Sequence, residues 1–501
     1  MRRRALAPVA TEATDERWPF NLVLLLSLFT YGYFHAPAAW NETSRYDLTR
    51  AVVEEGRFDI DEYHDNTGDK SLRNGHYYTD KAPGTSLLAV PSYAVYYAYL
   101  RLAHRALPAQ VAGSDPSAPL QVNHSFLSGM FVSCFFSVGL TSIVGLLAFF
   151  LLAGALAIDR FSQILATLAF GLGSLAFPYA TLFYGHQLCG SLLVICAALL
   201  LEQRRSGRWQ PWRLVLAGLA GGWAVVTEYP AAIATGAIAL VCLAAPSRRR
   251  ALGWFAAGAA GPALVLAAYD SICFGAPWSN GYAWVADPRF AAGMSQGLMG
   301  LTHPRLSVLW ALLVGSYRGL LLLSPVLFVG FVALVRMWRD ELRVEAAICG
   351  FIVAYFLLLN ASYYMWWGGS APGPRHAIPM LGFLALPLVR VRPGPLRGLS
   401  WALLVYSMAT MLVVTLVGPE PPELADPVLG FHWKHLFENE VAVNSGSSNL
   451  GLRLGLSGAW SALPLVIVWT AATAALLSWA RDGRRRSLRA ADVPGAMNQV
   501  R

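Results

Sequence analysis

Long apolar runs alternate with short polar segments along most of this chain of 501 residues. A helix needs about 20 apolar residues to cross the hydrocarbon core of a bilayer, and many of these runs reach that length. The run 213–246 is too long for one crossing and contains Glu228-Tyr229-Pro230 at its middle, so we divide it there. About twelve transmembrane helices are then predicted, at 18–36, 124–155, 162–181, 184–202, 213–229, 230–246, 252–270, 318–337, 345–362, 376–391, 400–418 and 459–480.

The apolar stretch 85–103 is treated differently, because a crossing there conflicts with the sidedness of its neighbours. If Met1 to Arg4 lie inside, the first polar loop lies outside. If the basic 204–213 loop also lies inside, counting the crossings back from it shows that the helix 124–155 begins on the outer side. The stretch contains four tyrosines and Pro91, which suit a helix lying in the outer membrane interface. A true crossing is the alternative, and it requires a compensating error elsewhere in the count.

Composition and charge indicate a membrane protein and restrict its partners. Hydrophobic residues make up 56% of the chain and charged residues 13%, whereas an average soluble protein is about 25% charged. The net charge of +9 comes from short basic clusters between apolar runs, as in cytoplasmic loops, so nucleic acid is not an expected partner. The six cysteines form no CxxC pair, and neither a disulfide framework nor a cysteine metal site is indicated.

These patterns predict an all-α polytopic membrane protein with both termini cytoplasmic, and a bacterial-type inner membrane is the expected location. The long loops with chemically varied residues lie on the outer face, so we expect the functional site there. The expected parts are an N-terminus at 1–17, a membrane module at 18–270 with an outer loop at 37–123, an outer loop at 271–317, C-terminal helices at 318–481 with outer loops at 363–375 and 419–457, and a basic tail at 482–501.

The first outer loop concentrates acidic residues. The segment Asn41 to Pro83 holds ten of the 29 Asp and Glu residues, interleaved with basic ones. Its apolar spacing predicts a short helix that ends at Gly56, and Asn74-Gly75 predicts a tight turn. Pro83-Gly84 opens the interfacial helix, which places Lys81 just before a helix start. Juxtamembrane helices are therefore expected within this loop.

Charges next to the bilayer are the best candidates for chemistry, because a charge there costs free energy unless it has a partner or a task. Glu42 follows the first span directly, where partial desolvation raises a carboxyl pKa and makes the group a usable base. Asp80 and Lys81 also lie beside the bilayer, and Lys81 suits an anionic lipid phosphate. The alternative is an extracytoplasmic loop whose charges are simply solvated.

Two later outer segments and the divided run add further candidates. Trp366 and Trp367 could stack on a sugar ring, although aromatic residues also accumulate at membrane interfaces without any such task. Arg375 lies in a Gly-Pro turn at a helix entrance, where it binds either a ligand phosphate or a lipid headgroup. Glu228 either lines a cavity or is an exposed turn residue, and His186 is expected to be structural.

The first loop resembles that of the GT-C superfamily of polyprenyl-phosphate-dependent glycosyltransferases, and the greatest similarity is to family 39 protein mannosyltransferases and lipid A aminoarabinose transferases. The matching residues are Asn41-Glu42-x-x-Arg45-Tyr46, Glu55-Gly56 and Gly75-x-Tyr77-Tyr78-x-Asp80-Lys81-x-Pro83-Gly84. Later segments that resemble bacterial membrane glycosyltransferases are Tyr317-Arg318-Gly319-Leu320, Trp366-Trp367-Gly368-Gly369 and Gly373-Pro374-Arg375. The resemblance covers the first hundred residues well and the rest loosely.

The resemblance implies an enzyme that moves a hexosyl or pentosyl group from a polyprenyl-phosphate donor to a hydroxyl of a lipid, glycan or protein, with inversion. No cofactor is implied, and dependence on a metal such as a divalent cation is left open. The family's first-loop aspartate corresponds to Asn41, whose amide cannot accept a proton. Glu42 is the expected replacement, with Asp47 or Asp80 as alternatives, unless transfer activity has been lost. The expected donor-binding residues are Arg45, Tyr78, Lys81, Arg318, Trp366, Trp367 and Arg375.

A multi-span transporter or flippase of a lipid-linked or small-molecule substrate is the rival prediction, because twelve spans with both ends inside are common in that class. Transporters usually place ionisable groups near the membrane midplane and show paired internal repeats. The apolar runs here are nearly free of charge, and neither half of the sequence repeats the other. A lipid-linked glycan ligase or polymerase is a nearer alternative, since it shares the donor-phosphate chemistry.

Overall fold

The computed structural model describes residues 17–35, 37–111 and 121–491, and it is predominantly helical. Most of the predicted terminal segments 1–17 and 482–501 lies outside the described residues. Helices follow the apolar runs because each buried backbone amide finds its partner within the same helix. The helices of the first half are α1 Arg17–Tyr31, α2 Trp40–Arg50, α3 Gly84–Leu102, α4 His124–Cys134, α5 Leu140–Leu156, α6 Arg160–Gly171, α7 Ala176–Ala180, α8 Gly185–Ser206, α9 Pro211–Thr227, α10 Ala231–Ala239 and α11 Arg248–Phe274.

The second half of the chain continues with shorter helices at its loops and long ones between them. Three short antiparallel strand pairs accompany the helices in the described part, so the all-α prediction holds apart from these. The strands are β1 Phe34–His35, β2 Lys70–Arg73, β3 His76–Thr79, β4 Gln110–Val111, β5 Gln121–Val122 and β6 Ser448–Asn449. The remaining helices are α12 Pro288–Met294, α13 Leu306–Leu313, α14 Leu320–Leu323, α15 Val326–Arg339, α16 Arg343–Ser362, α17 Leu381–Ala385, α18 Pro395–Val417, α19 Lys434–Phe437, α20 Leu450–Arg453 and α21 Leu463–Ala491.

Six helices of the described residues are long and apolar enough to cross a membrane, so this is a multi-pass membrane protein. They are His124–Leu156, Gly185–Ser206, Arg248–Phe274, Arg343–Ser362, Pro395–Val417 and Gly458–Gly483. The other predicted spans fold as shorter helices, and the count of twelve stays a prediction. Helix α3, although 19 residues long, is not one of the six, and its position in the outer interface also stays a prediction.

The segment 376–391 differs from the regular helix that its hydropathy predicts. It alternates between 3₁₀ and α geometry, with a 3₁₀ turn at Arg375–Met380, then α17, then a second 3₁₀ turn at Leu386–Arg390. Pro379 and Pro387 lie inside these turns, and neither residue has a backbone N–H to continue an α-helical ladder. The break places Arg375 at the mouth of the segment, where the chain enters from a loop.

The predicted helix end at Gly56 and the predicted turn at Asn74-Gly75 are confirmed. Helix α2 runs into a π-helical turn at Ala51–Glu55 and ends at Gly56, which has a left-handed φ of 69°. Strands β2 and β3 form a hairpin whose turn residues Asn74 and Gly75 have φ values of 52° and 86°. Two positive φ values in succession define the turn that an Asn-Gly pair favours, because neither residue is strongly strained there.

Contacts distant in sequence hold this loop to the rest of the molecule. The hairpin docks on the 271–317 loop, where Ser71 donates from Oγ to the carbonyl of Gly281 at 2.7 Å. Strand β1, at the end of the first span, pairs antiparallel with β6 near the C-terminus. The first loop is therefore a packed element with a fixed place in the molecule.

Helix α3 approaches α9 so closely that only glycine fits at its first position. A Cβ on Gly84 would lie 2.7 Å from the backbone nitrogen of Thr227, which cannot move without displacing the end of α9. We expect Gly84→Ala to lower the free energy of unfolding by about 2 kcal/mol. The matched Gly253→Ala change, at an exposed position of α11 with open space around it, is expected to raise it by about 1 kcal/mol. Thermal unfolding in detergent measures both, and equal shifts would contradict the prediction.

Candidate functional site

A cavity of about 460 Å³ opens between the first loop, the start of α10, the end of α16 and the segment 363–376. One end of this cavity is charged and the other is apolar. The apolar wall includes Ile233, Phe356 and Leu359. The charged residues that line the cavity are Arg45, Asp69, Asp80, Lys81, Glu228 and Arg375. Chain segments more than 300 residues apart thus contribute to one site, which we call the central cavity.

Lys81 is the centre of the charged end. Its Nζ lies 2.9 Å from Oδ2 of Asp69 and 3.0 Å from Oδ1 of Asp80, and its side chain is 14% exposed. Burial works against the charge of Lys81, but the two carboxylates outweigh burial and raise its pKa. The lysine is therefore held as a cation inside the cavity rather than at the lipid surface.

The two carboxyl groups that share Lys81 titrate differently. Burial favours the neutral form of Asp69, but the contact with Lys81 outweighs it and lowers the pKa, so Asp69 is ionised. Burial raises the pKa of Asp80, and the negative charge of Asp69 adds to this rise. Two neighbouring carboxyl groups whose pKa values are pushed apart are typical of sites that move protons.

Arg45 and Asn41 connect the lysine to the other wall of the cavity. Arg45 donates from Nε to Oδ1 of Asn41 at 3.1 Å, and the Asn41 amide donates to Asp69 at 3.4 Å. A guanidinium nitrogen of Arg45 also lies 3.6 Å from Glu228, whose Oε1 is 3.2 Å from Nδ1 of His186. The amide of Asn41 thus bridges a cation and an anion, a task that an aspartate at this position could not perform.

Glu42 does not line the central cavity. It is fully buried behind the cavity, and neither carboxyl oxygen has a hydrogen-bond partner among the described residues. Burial raises its pKa well above the usual range, and the negative charge of Glu420 adds to the rise. This direction agrees with the expectation from sequence, but the position of the side chain outside the cavity lining does not suit a base for a hydroxyl bound in the central cavity.

A chain of hydrogen bonds joins Arg375 to Glu420. Arg375 donates from Nη1 to the Tyr184 hydroxyl at 3.3 Å, and that hydroxyl donates to Oε1 of Glu420 at 2.8 Å. Burial raises the pKa of Glu420 to about 7, although the bond from Tyr184 opposes the rise. Arg375 therefore lines the cavity while its guanidinium group is held in place by the hydroxyl of Tyr184.

Comparison with solved structures places this architecture among known folds. ArnT from Cupriavidus metallidurans in the apo state matches over 94% of this chain and 76% of its own length, with a TM-score of 0.50 and 16% sequence identity. The chain has the fold of ArnT. The structure of the same protein bound to undecaprenyl phosphate covers the same shares, with a TM-score of 0.43 and 14% identity. No protein-family model matches this chain, and no curated protein does.

The fold of this chain agrees with the fold expected from the resemblance of its first loop. At 16% identity the likeness extends to the fold and not to individual residues. The positions of the candidate residues in this chain are therefore assessed from its own geometry.

Four of the expected donor-binding residues lie away from the central cavity. Arg318 is fully buried and donates to the carbonyls of Trp367 at 2.9 Å and Gly369 at 2.7 Å, so it fixes the 363–375 loop. Trp366 packs edge-on against Tyr317, and Trp367 donates from its indole to Glu423 at 3.0 Å. Tyr78 packs against Phe274. Their roles in donor binding stay predictions that this geometry does not favour.

Sequence reasoning missed Asp69 and Glu420 as site residues. Asp69 was one of ten acidic residues in the first loop, and nothing local distinguished it from its neighbours. Glu420 follows a predicted span within Gly418-Pro419-Glu420, and a carboxyl group at the end of a span was a signal that could have identified it. Glu228, by contrast, was expected either to line a cavity or to be an exposed turn residue, and the structure shows that it lines the central cavity.

Two groups of possible metal ligands occur among the described residues, and neither includes a residue that lines the central cavity. Their ligand atoms lie within 4.8 Å of one another. Exposed acidic groups of this kind are common without any ion, so metal dependence stays open. The groups are Asp59 with Asp61 and His76, and His435 with Glu438 and Glu440.

The raised pKa of Glu420 predicts that the stability of the protein depends on pH. The pKa of Glu420 rises from 4.5 to about 7 on folding, so its contribution to stability is complete below pH 4.5 and is lost as the pH rises through 7. The loss amounts to at most about 3 kcal/mol. We expect the melting temperature of the wild type to fall from pH 5 to pH 8, and that of Glu420→Gln to fall clearly less. The exposed Glu62→Gln variant is the control, and it should follow the wild type.

Proposed function

We propose that this protein is a membrane glycosyltransferase that moves a sugar from a polyprenyl-phosphate donor to an acceptor hydroxyl. The observation that carries this proposal is one cavity with three cations at one end and an apolar wall at the other. A lipid-linked sugar phosphate has the same two parts, a charged headgroup and a hydrocarbon chain. The ArnT fold of the chain is consistent with this activity.

Lys81, Arg45 and Arg375 hold the donor phosphate in this proposal. All three line the charged end of the cavity, and each is already fixed by a neighbouring side chain. Preorganised cations need little reorganisation when charge develops on a leaving phosphate, which makes such stabilisation the largest catalytic effect in many enzymes. The prenyl chain lies along the wall formed by Ile233, Phe356 and Leu359.

Asp80 is the proposed base, in place of Glu42. Asp80 lines the cavity, and its raised pKa brings it closer to the working pH, where a general base is most effective. Glu42 is fully buried and does not line the cavity, so its carboxyl group is not placed to meet an incoming hydroxyl. Asp69 stays ionised and keeps Lys81 in place.

The reaction then proceeds by a single displacement. The acceptor oxygen attacks the anomeric carbon from the face opposite the phosphate, and Asp80 takes the hydroxyl proton. The bond between the anomeric carbon and the phosphate oxygen breaks, and its electron pair leaves on the polyprenyl phosphate, next to Lys81 and Arg375. A new glycosidic bond forms with inverted configuration. The site lies on the extracytoplasmic face of the inner membrane, with both chain termini on the cytoplasmic side.

An assay of the purified protein in detergent with a panel of polyprenyl-phosphate hexoses and pentoses tests the proposed function. We expect one donor to release free polyprenyl phosphate in amounts equal to the glycosylated acceptor formed. Acceptors should include a lipid, a glycan and a peptide bearing free hydroxyls. Movement of intact donor between the leaflets of a proteoliposome, without cleavage of the donor, would overturn the proposal in favour of a flippase.

A further inference from the structure

A second cavity lies at the other end of the helix bundle. This groove has a volume of about 740 Å³ and runs between the outer face of α15 and the segment 390–396. Its walls are apolar along most of their length, and one end carries four arginines and a single carboxylate. The lining residues that matter here are Phe331, Val332, Val335, Arg336, Arg339 and Arg392. We call this cavity the basic groove.

The arginines of the basic groove are only partly neutralised. Asp340 accepts from Arg390 at 2.8 Å and from Arg392 at 3.1 Å, so one carboxylate serves two guanidinium groups. Arg336 and Arg339 form no ion pair with a carboxylate of the described residues. They lie three residues apart in the last turn of α15, on one face of the helix, where they can contact one anion together.

The basic groove and the central cavity lie at opposite ends of α16. This helix starts at Arg343, directly after the α15 turn that carries the arginines, and reaches the central cavity at Asn360. Its 20 residues rise by about 30 Å, the thickness of the hydrocarbon core. A lipid in the basic groove would therefore belong to the leaflet opposite the central cavity.

The apolar part of the groove faces outward from the bundle. Val332 and Val335 are 47% and 55% exposed, and Trp338, at the level of the arginines, is 51% exposed. In a protein that crosses a bilayer, this face contacts lipid chains, and a tryptophan at the level of charged groups marks the headgroup region. The arginines are thus placed at the depth of lipid phosphates.

We propose that the basic groove binds the headgroup of an anionic phospholipid, with Arg336, Arg339 and Arg392 on the phosphate and one acyl chain along Phe331, Val332 and Val335. Guanidinium groups donate two parallel hydrogen bonds to phosphate oxygens, which suits them to this ligand better than to a zwitterionic headgroup whose charge is already balanced. The excess of arginine over carboxylate supplies the attraction, and the apolar wall distinguishes a lipid from a free anion. This proposal is independent of the proposed enzyme activity.

Native mass spectrometry of the full chain in neutral detergent tests the proposal, with dioleoylphosphatidylglycerol as the probe and dioleoylphosphatidylcholine as the neutral comparison. We expect Arg336→Gln with Arg339→Gln to weaken phosphatidylglycerol binding by about tenfold or more. The matched control is Arg249→Gln with Arg250→Gln, which removes two charges from the exposed first turn of α11 and should change binding less than twofold, roughly the scatter of such effects. Val332→Trp keeps every charge but fills the groove, and it should also weaken binding.

The comparison of these variants decides the proposal. Equal losses in the groove and control variants would show that only net charge matters and would overturn it. Equal binding of phosphatidylcholine would overturn it as well, and so would displacement of the lipid by inorganic phosphate at tenfold excess. If the double arginine variant does not fold, Val332→Trp still provides a test, since retained affinity in that variant contradicts occupation of the groove.

Discussion

Replacing Lys81 with methionine is expected to lower kcat/KM for sugar transfer by about a thousandfold. The lysine is the cation that meets the donor phosphate in the proposed reaction, and its removal also leaves Asp69 and Asp80 without the counterion that they share. Two negative charges would then repel the donor from the charged end of the cavity. Initial rates with the preferred donor, measured at saturating acceptor, give the effect directly.

The control for this substitution is Lys70→Met, in the same loop. Lys70 lies in β2 and contacts His64 through Nζ at 3.1 Å, away from the central cavity. Both variants lose one positive charge, so a general electrostatic effect of the loop would lower both rates equally. Full activity of Lys81→Met in folded protein, shown by an unchanged melting temperature, would contradict the assignment of the donor phosphate to this lysine.

Asp80→Asn is expected to lower kcat by about a hundredfold or more while leaving the affinity for the donor nearly unchanged. The amide fills the same space as the carboxyl group but cannot accept the hydroxyl proton. Because the pKa of Asp80 is raised by burial and by Asp69, the acid limb of the wild-type pH profile should lie above the range of an exposed aspartate. This limb should disappear in the variant. A full profile of kcat against pH is the measurement.

Two further variants separate the possible bases. Asp65→Asn removes a carboxylate that is 63% exposed in the same loop, and it should behave as the wild type. Glu42→Gln should retain most of its activity, because the side chain is buried outside the lining of the central cavity. If Glu42→Gln abolishes transfer and Asp80→Asn does not, the assignment of the base reverts to Glu42.

Local features of the first loop could be predicted from sequence because short-range chemistry determines them. The left-handed end at Gly56 and the Asn74-Gly75 turn depend on backbone conformations that few other residues adopt. The helix that begins after Pro83 follows from the same kind of rule. The candidate cations Lys81 and Arg375 were also identified in this way, since each stands next to a helix entrance.

The environment of Glu42 could not be predicted, because it depends on the position of Glu420, 378 residues later in the chain. No local pattern states that one buried carboxyl group lies against another. Arg318 presents the same difficulty, because its guanidinium group donates hydrogen bonds to the carbonyls of Trp367 and Gly369 and does not line the central cavity. Sequence shows which residues carry charge, whereas tertiary packing decides which of these charges remain available.

The pairing of β1 with β6 has a consequence for biosynthesis. The first loop is anchored by a strand that the ribosome makes more than 400 residues later, at Ser448–Asn449. Until that strand has been made and delivered to the same side of the membrane, the start of the loop lacks this attachment. A chain that ends before Ser448 would therefore hold the start of its first loop by fewer long-range contacts, and it should be less stable than the full chain.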